Sequence, residues 1–222
     1  PSCWWDTEFS LNCSFTGIST IPEDVSPMVV TADFSYNNIK TFQCLNGRME
    51  EWMLKHLNLS DNLISELSLS TCRNLPVLET LNLDGNAIHV LVLDVPLPAH
   101  GAQRSHQVSH LLPALKVLSI ERNNLHRVPR GLGLLPSLQT IRLSSNGIRQ
   151  INPGDFENCS QLKDINLQNN KITQISPNAF RDLNELQVVV DIRENALAIP
   201  LPQILISLNF FRLEVGLSSN TW

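Results

Sequence analysis

Apolar residues recur along the chain at fixed distances from a series of asparagines. Each full unit has apolar residues eight, five and three positions before its asparagine and another two positions after it. Six full units carry Asn37, Asn62, Asn86, Asn123, Asn146 and Asn170, and two weaker units carry Asn195 and Asn220. Subtracting the numbers of successive asparagines gives steps of 25, 24, 37, 23, 24, 25 and 25 residues. Because all but one of these steps agree within two residues, the pattern is an internal repeat and not a chance run of leucines.

The spacing within each unit predicts a short strand followed by a turn. Alternation along the strand places the leucines on one face and the intervening residues on the other. One unit alone cannot bury its leucines, whereas a stack of units can, so we expect one continuous solenoid. The asparagine lies where the chain turns away from the strand. Its amide is expected to pair with buried backbone groups that the turn leaves without partners.

The start of the chain has its own motif, in which Cys3 is followed by Cys13-Ser14-Phe15-Thr16-Gly17-Ile18-Ser19-Thr20-Ile21-Pro22. This motif resembles the N-terminal cap of extracellular leucine-rich repeat proteins of the cell surface, and the resemblance extends from Cys3 to Trp222. It implies a Cys3–Cys13 disulfide, and therefore an oxidising compartment. It also implies an α/β-type solenoid, a horseshoe with a concave parallel β-sheet and a mostly irregular or short-helical convex side.

These observations predict the organisation of the chain. Residues 1–28 form the N-terminal cap and residues 29–222 form about eight repeats. The long step between Asn86 and Asn123 predicts a loop insertion near residues 94–110. Its His100, His106 and His110 suggest a zinc site, but no Cys, Asp or Glu stands among them to complete four ligands, so we predict a solvated loop and no metal. The C-terminal end resembles the opening of a matching cap whose cysteines are absent, so we expect that cap to be truncated or absent.

Internal alignment places Cys72 and Cys159 in core positions of their units. For Cys159 the favoured interpretation is a buried, reduced thiol that acts as a small apolar residue. Cys44 lies seven residues after Asn37, on the loop beside the unit that carries Cys72. A Cys44–Cys72 bridge is therefore an alternative to two further reduced thiols, and the sequence leaves the choice open.

Composition narrows the classes of function. The hydrophobic fraction of 42% with only 6% aromatics suits a core of aliphatic ladders, and the net charge of −5 argues against nucleic-acid binding. No apolar stretch reaches the roughly 20 residues that span a bilayer. The chain has no initiating Met and no signal segment, so we expect a processed ectodomain or a trimmed piece of one, with any membrane anchor in a segment outside it.

The repeat register predicts which residues share the concave face. The middle row is predicted to contain Asp33, Asn58, Asn82, Ser119, Arg142, Asn166, Asp191 and Gly216, with further rows two residues before and two residues after it. The charged candidates for ligand binding on these rows are Asp84, Glu121, Arg142, Asp164, Asp191 and Arg193. Neighbouring strands lie about 4.8 Å apart, so Asp84 and Glu121 are expected to repel one another until a basic partner binds. The alternative is two solvated carboxylates without a role.

Catalysis is not indicated. His56 with Ser60 and Asp33 is the nearest catalytic constellation, and scattered polar residues on an open sheet produce such sets. No G-x-S-x-G motif and no P-loop is present, so we predict neither an enzyme nor a cofactor. Glycosylation sequons stand at Asn12, Asn58 and Asn158. A sugar on Asn58 would block the inner face of its repeat.

The most economical function is the ectodomain of a membrane-anchored receptor, co-receptor or adhesion protein, on the extracellular side of the cell membrane or secreted. A protein ligand would bind the concave face through shape and a few anchors, because the sequence shows no large apolar patch there. The alternative is a solenoid that associates with its own copies through an uncapped C-terminal end at Phe210, Phe211 and Trp222.

Overall fold

The computed structural model describes residues 2–44, 50–93, 111–184, 188–198, 213–216 and 218–220. Its strands in chain order are β1 (Trp4–Thr7), β2 (Ser10–Asn12), β3 (Thr31–Asp33), β4 (His56–Asn58), β5 (Glu66–Ser68), β6 (Thr80–Asn82), β7 (Val90–Val92), β8 (Val117–Ser119), β9 (Thr140–Arg142), β10 (Gln150–Ile151), β11 (Asp164–Asn166), β12 (Gln174–Ile175), β13 (Val188–Asp191) and β14 (Leu213–Gly216). Ten of them form one sheet in the order β1-β2-β3-β4-β6-β8-β9-β11-β13-β14. Every pairing in this sheet is parallel except that of β1 with β2.

The register of the sheet confirms the predicted concave rows. Asp33 lies beside Asn58, which lies beside Asn82, and the same row continues to Gly216 on β14. β2 adds Asn12 to the start of this row. The sequence pattern did not predict that strand, because the cap lacks the repeat's asparagine. The predicted insertion at 94–110, its three histidines and the C-terminal aromatic residues lie outside the described residues.

The solenoid core lies between this sheet and the opposite, convex side. The central residue of each short strand, such as Leu57 on β4 and Ile165 on β11, is buried, while its two neighbours are more exposed. The convex side carries a 3-10 helix at Leu132–Leu134 and two small parallel sheets, β5–β7 and β10–β12. The predicted fold class, a leucine-rich repeat horseshoe with a mostly irregular convex side, is confirmed; the small sheets are additions that the sequence did not indicate.

The repeated asparagines form a buried ladder. Asn62 accepts the Ile39 N–H at its Oδ1 (3.0 Å), and its Nδ2 donates to the carbonyls of Phe34 (3.0 Å) and Leu59 (3.1 Å). Side-chain bonds of the same kind recur at Asn37, Asn86, Asn123, Asn146, Asn170, Asn195 and Asn220. Each amide therefore pairs with backbone groups, as predicted, and it also joins its own unit to the preceding one.

The residue before each ladder asparagine adopts a left-handed backbone conformation. These residues are Tyr36, Asp61, Gly85, Arg122, Ser145, Asn169, Glu194 and Ser219, with φ between 55° and 68°. For a residue other than glycine this conformation costs roughly 1 kcal/mol. It aims the backbone N–H at the next unit: Tyr36 donates to the Ser60 carbonyl at 3.1 Å and Arg122 donates to the Ser144 carbonyl at 3.0 Å. We call this set the turn row.

Two disulfides fasten the N-terminal half. Cys3 is bonded to Cys13, which ties β1 to the end of β2 and confirms the expected cap bridge. The structure also joins Cys44 to Cys72 and so resolves the choice that the sequence left open. Cys159 is buried and unbonded, in agreement with the favoured interpretation.

Candidate functional site

The Asn and Asp side chains in the middle row of the concave face form hydrogen bonds that stabilise the fold. They accept the backbone N–H of the residue two positions on, and so close the end of each strand. The pairs are Asn12 with Ser14, Asp33 with Ser35, Asn58 with Ser60, Asn82 with Asp84, Asn166 with Gln168 and Asp191 with Arg193, at 2.9 to 3.1 Å. An Asn or Asp at one fixed position of each unit was the available sequence signal for these turns.

Asp84 accepts a backbone N–H at one place where the middle row has no Asn or Asp to do so. The end of β8 carries Ser119, whose hydroxyl does not accept the N–H two residues on. Asp84 on the neighbouring unit reaches across, and its Oδ1 accepts both the Ser119 hydroxyl and the Glu121 N–H at 2.7 Å. The carboxylate of Asp84 is thus already engaged in holding the fourth repeat.

Asp191 and Arg193 form a hydrogen-bonded ion pair with each other. Arg193 Nη2 donates to Asp191 Oδ2 at 2.6 Å and its Nε donates to Oδ1 at 2.9 Å. This two-point hydrogen bond holds the pKa of the Asp191 carboxyl below its usual range. The guanidinium also reaches Gln168 Oε1 at 3.5 Å. A ligand that uses either charge has to compete with its partner.

The remaining charged candidates, Glu121, Arg142 and Asp164, form no side-chain hydrogen bond or ion pair with any other described residue. Arg142 ends β9 and Asp164 begins β11, whereas Glu121 lies two residues after the end of β8, the strand on the other side of β9. In the sheet register, Asp164 is paired with Thr140, which lies two residues before Arg142. Arg142 is paired with Ser119, which lies two residues before Glu121. The three therefore form a diagonal acid–base–acid line, with steps of roughly 7 to 8 Å between neighbours. We call this line the charged diagonal.

Arg142 also breaks the pattern of the middle row. A guanidinium cannot accept a hydrogen bond, so it cannot close the strand end as Asn or Asp does. Within the described ranges, no side-chain oxygen accepts the N–H of Ser144, the residue two positions on. Unlike Ser119, Arg142 has no neighbour that compensates for it.

Aromatic side chains extend the N-terminal end of this face. Trp4 pairs with Asn12 across β1 and β2, so it projects on the concave side, and it is 45% exposed. In the turns that follow β2 and β3, the exposed rings of Phe15 and Tyr36 stack with centroids 4.4 Å apart. None of these rings belongs to the concave rows that the sequence predicts, because they lie on β1 and in the turns after β2 and β3. The repeat pattern does not specify the residue types in these turns, so the stacking of the two rings could not be predicted from it.

Other candidate residues are positioned as follows. His56 Nδ1 lies 2.8 Å from Thr80 Oγ1, and no described hydrogen bond links it to Ser60 or Asp33. The amide oxygens of Asn12 and Asn58 accept backbone N–H groups, whereas Asn158 is exposed. Within the described ranges no three residues could hold a metal ion together, and no helix there is long and apolar enough to cross a membrane.

Two family models match this chain: one described as "Leucine rich repeat" at residues 136–195, and a second with that description at residues 53–75. The chain is a leucine-rich repeat protein. Leucine-rich repeat modules of this kind mediate protein interactions. This one is 46% identical to human leucine-rich repeat-containing protein 66 over 222 residues and 41% identical to the rat protein of that name over 169 residues.

These matches cover 99% and 75% of the leucine-rich repeat chain, but only 25% and 19% of the human and rat proteins. The mouse protein "Transforming growth factor beta activator LRRC32" is 38% identical over 100 residues, which cover 44% of this chain and 14% of the relative. A solved structure, "Crystal structure of TLR13-ssRNA13 complex", aligns with a TM-score of 0.65 at 22% identity and covers 85% of this chain and 25% of that one. That likeness concerns the fold alone.

Proposed function

We propose that this leucine-rich repeat chain is the extracellular part of a membrane-anchored receptor, co-receptor or adhesion protein, and that it binds a protein ligand on its concave face. Two disulfides support an oxidising, extracellular compartment. One relative is named as an activator of transforming growth factor beta, which is a protein ligand. The membrane anchor is assigned to a segment outside this chain.

The observation that carries the proposal is the charged diagonal of Glu121, Arg142 and Asp164. Charged side chains that stabilise a fold form hydrogen bonds or ion pairs within it, as Asp84 and Asp191 do. Those of the diagonal have no partner among the described residues, and they lie on or directly after neighbouring strands of one sheet. The complementary ligand surface places an acidic group between two basic ones. Because Asp84 is engaged with Ser119, we assign the acidic role of the predicted Asp84–Glu121 pair to Glu121.

The stacked rings of Phe15 and Tyr36, together with Trp4, supply the apolar anchor that such an interface needs. Aromatic residues are enriched at the energetic centres of protein interfaces, because they bury a large area at a small entropic cost. The charged diagonal then fixes orientation and speeds association. Asp191 and Arg193 lie farther along the same face and are secondary contacts, since a ligand must first displace their mutual pairing.

The solved neighbour that holds single-stranded RNA invites a nucleic-acid ligand, and the charge of this chain argues against one. Phosphate binding needs clustered Lys and Arg, whereas the net charge here is −5 and the diagonal carries two acids for one base. A protein ligand is the better match to this mixed surface.

The test begins with a screen. The chain, displayed as a multimer, is applied to arrayed secreted and cell-surface proteins, with the chain itself and single-stranded RNA included. Any protein hit is then measured with the double variant Glu121→Gln/Asp164→Asn at low and high salt. The matched control, Glu51→Gln/Glu157→Gln, removes the same charge from exposed positions outside the concave sheet.

We expect the diagonal variant to weaken binding about tenfold at low salt and less at high salt, mainly through slower association, because two charge contacts are lost. The control is expected to bind as the wild type does. Equal affinity of the two variants would remove the diagonal from the interface. A hit confined to the chain itself would favour the self-associating alternative, and binding of RNA would overturn the assignment of a protein ligand.

A further inference from the structure

A cavity of about 180 Å³ opens between the N-terminal cap and the second repeat, away from the concave face. One wall is the segment 20–22 and another is the segment 41–44. The floor is apolar and buried, with Phe34, Leu54 and Leu57 each exposed by 3% or less. No charged side chain of a described residue lines it.

A buried polar acceptor, on Asn74, lies in this apolar floor. Asn74 is 4% exposed and lines the cavity, yet its Oδ1 accepts no hydrogen bond from any described group. The buried ladder asparagines, by contrast, both accept and donate. An unpaired buried acceptor is costly, and in a native protein it calls for an explanation.

The position of this atom is fixed by its surroundings. The Asn74 carbonyl accepts the Trp52 N–H at 2.8 Å, and Trp52 itself forms part of the cavity wall. Two residues earlier, Cys72 is bonded to Cys44, which lines the opposite side. The disulfide therefore holds two walls of the cavity together, and the acceptor is preorganised.

We propose that this cavity binds a small neutral molecule with one aromatic ring and a single N–H or O–H group, which donates to Asn74 Oδ1. The size follows from the volume, since an apolar cavity of roughly 150 Å³ holds benzene. Neutrality follows from the absence of charged residues in the lining, because an ion would lose its hydration there without compensation. The single donor follows from the single unsatisfied acceptor.

The test uses phenol and toluene, which differ in shape very little but differ by one O–H donor. Ligand-observed NMR on the wild-type chain is expected to show phenol binding about tenfold more tightly than toluene, because toluene leaves Asn74 Oδ1 unpaired. In Asn74→Leu, which removes the acceptor at nearly constant volume, the preference is expected to disappear or invert. Asn124→Leu, the same exchange at an exposed position of a later repeat, is the control and keeps the phenol preference.

A second variant separates ligand binding from folding. Thr41 is exposed and lines the cavity, so Thr41→Trp fills the opening without changing the buried floor. Both probes are expected to lose binding in this variant, while its circular dichroism stays that of the wild type. If neither probe binds the wild-type chain, water alone satisfies Asn74 and the proposal falls. Equal binding of phenol and toluene would likewise overturn it.

Discussion

The asparagine ladder can be tested at one position where the chain supplies its own control. Asn123 and Asn124 are adjacent in the fourth repeat, but Asn123 is buried in the ladder and Asn124 is exposed. Replacing each in turn with alanine makes the same chemical change one residue apart. We expect Asn123→Ala to destabilise the chain severely and Asn124→Ala to have little effect.

The magnitude follows from the bonds of Asn123. Its Oδ1 accepts the Ile88 N–H at 2.9 Å, and its Nδ2 donates to the carbonyls of Leu83 at 2.9 Å and Glu121 at 3.0 Å. Each bond contributes about 1 kcal/mol net, and the Ile88 N–H left buried without a partner costs roughly 1 to 3 kcal/mol more. The expected loss is therefore about 4 to 6 kcal/mol, a large part of the roughly 5 to 15 kcal/mol that stabilises a typical domain. For Asn124→Ala we expect a change within about 0.5 kcal/mol.

The assay is urea unfolding with the disulfides intact, followed by far-ultraviolet circular dichroism and by tryptophan fluorescence. Repeat arrays can unfold in more than one step, so the two probes are compared before a free energy is fitted. If the two variants unfold at the same urea concentration, the ladder contributes no more than a surface residue does. The structural role assigned to the repeated asparagines would then be refuted.

Three further predictions concern other parts of the fold. Gly85→Ala should lower the free energy of unfolding in urea by about 1 to 2 kcal/mol, because φ is 68° and the new methyl group meets the Asp61 side chain. Removing the Asp61 side chain in the same variant should recover only the part of this loss that comes from the steric contact. Cys44→Ser/Cys72→Ser should lower the unfolding free energy by about 3 kcal/mol, and a thiol-reducing agent should then have little further effect on that part of the chain. Burial raises the pKa of the Cys159 thiol to about 12, so iodoacetamide at pH 8 should label it only after unfolding; rapid labelling of the folded chain would contradict its burial.

The parts of this structure that repeat could be predicted from sequence. A leucine pattern with a fixed step sets both the strand and its register, since a slip of one residue would turn the apolar side chains to the solvent. The row from Asp33 to Gly216 follows from this alone. The buried role of the asparagines follows as well, because turns inside a stack leave backbone groups to be paired.

The features that could not be predicted depend on contacts between side chains at positions whose residue type the repeat pattern does not specify. The Phe15–Tyr36 stack arises because the turn after β2 and the turn after β3 both carry an aromatic residue. The engagement of Asp84 depends on a serine one unit away. The cavity at Asn74 depends on how the cap segment meets the second repeat. Each is a property of neighbouring units, whereas the sequence pattern describes one unit at a time.

Arg142 offers a last test, because there the demands of the fold and of binding oppose each other. At the end of β9 the usual Asn or Asp is missing, and no other described side chain replaces its hydrogen bond to the backbone. Such local departures from a structural pattern are expected at functional sites. Arg142→Asn should restore the side-chain bond to the Ser144 N–H and raise the unfolding free energy by about 0.5 to 1 kcal/mol. The same variant should weaken ligand binding, since it removes the only base of the charged diagonal. A stabilised variant that binds as before would show that Arg142 plays no part in recognition, and a destabilised one would show that the repeated strand-end bonds do not stabilise the fold as we infer.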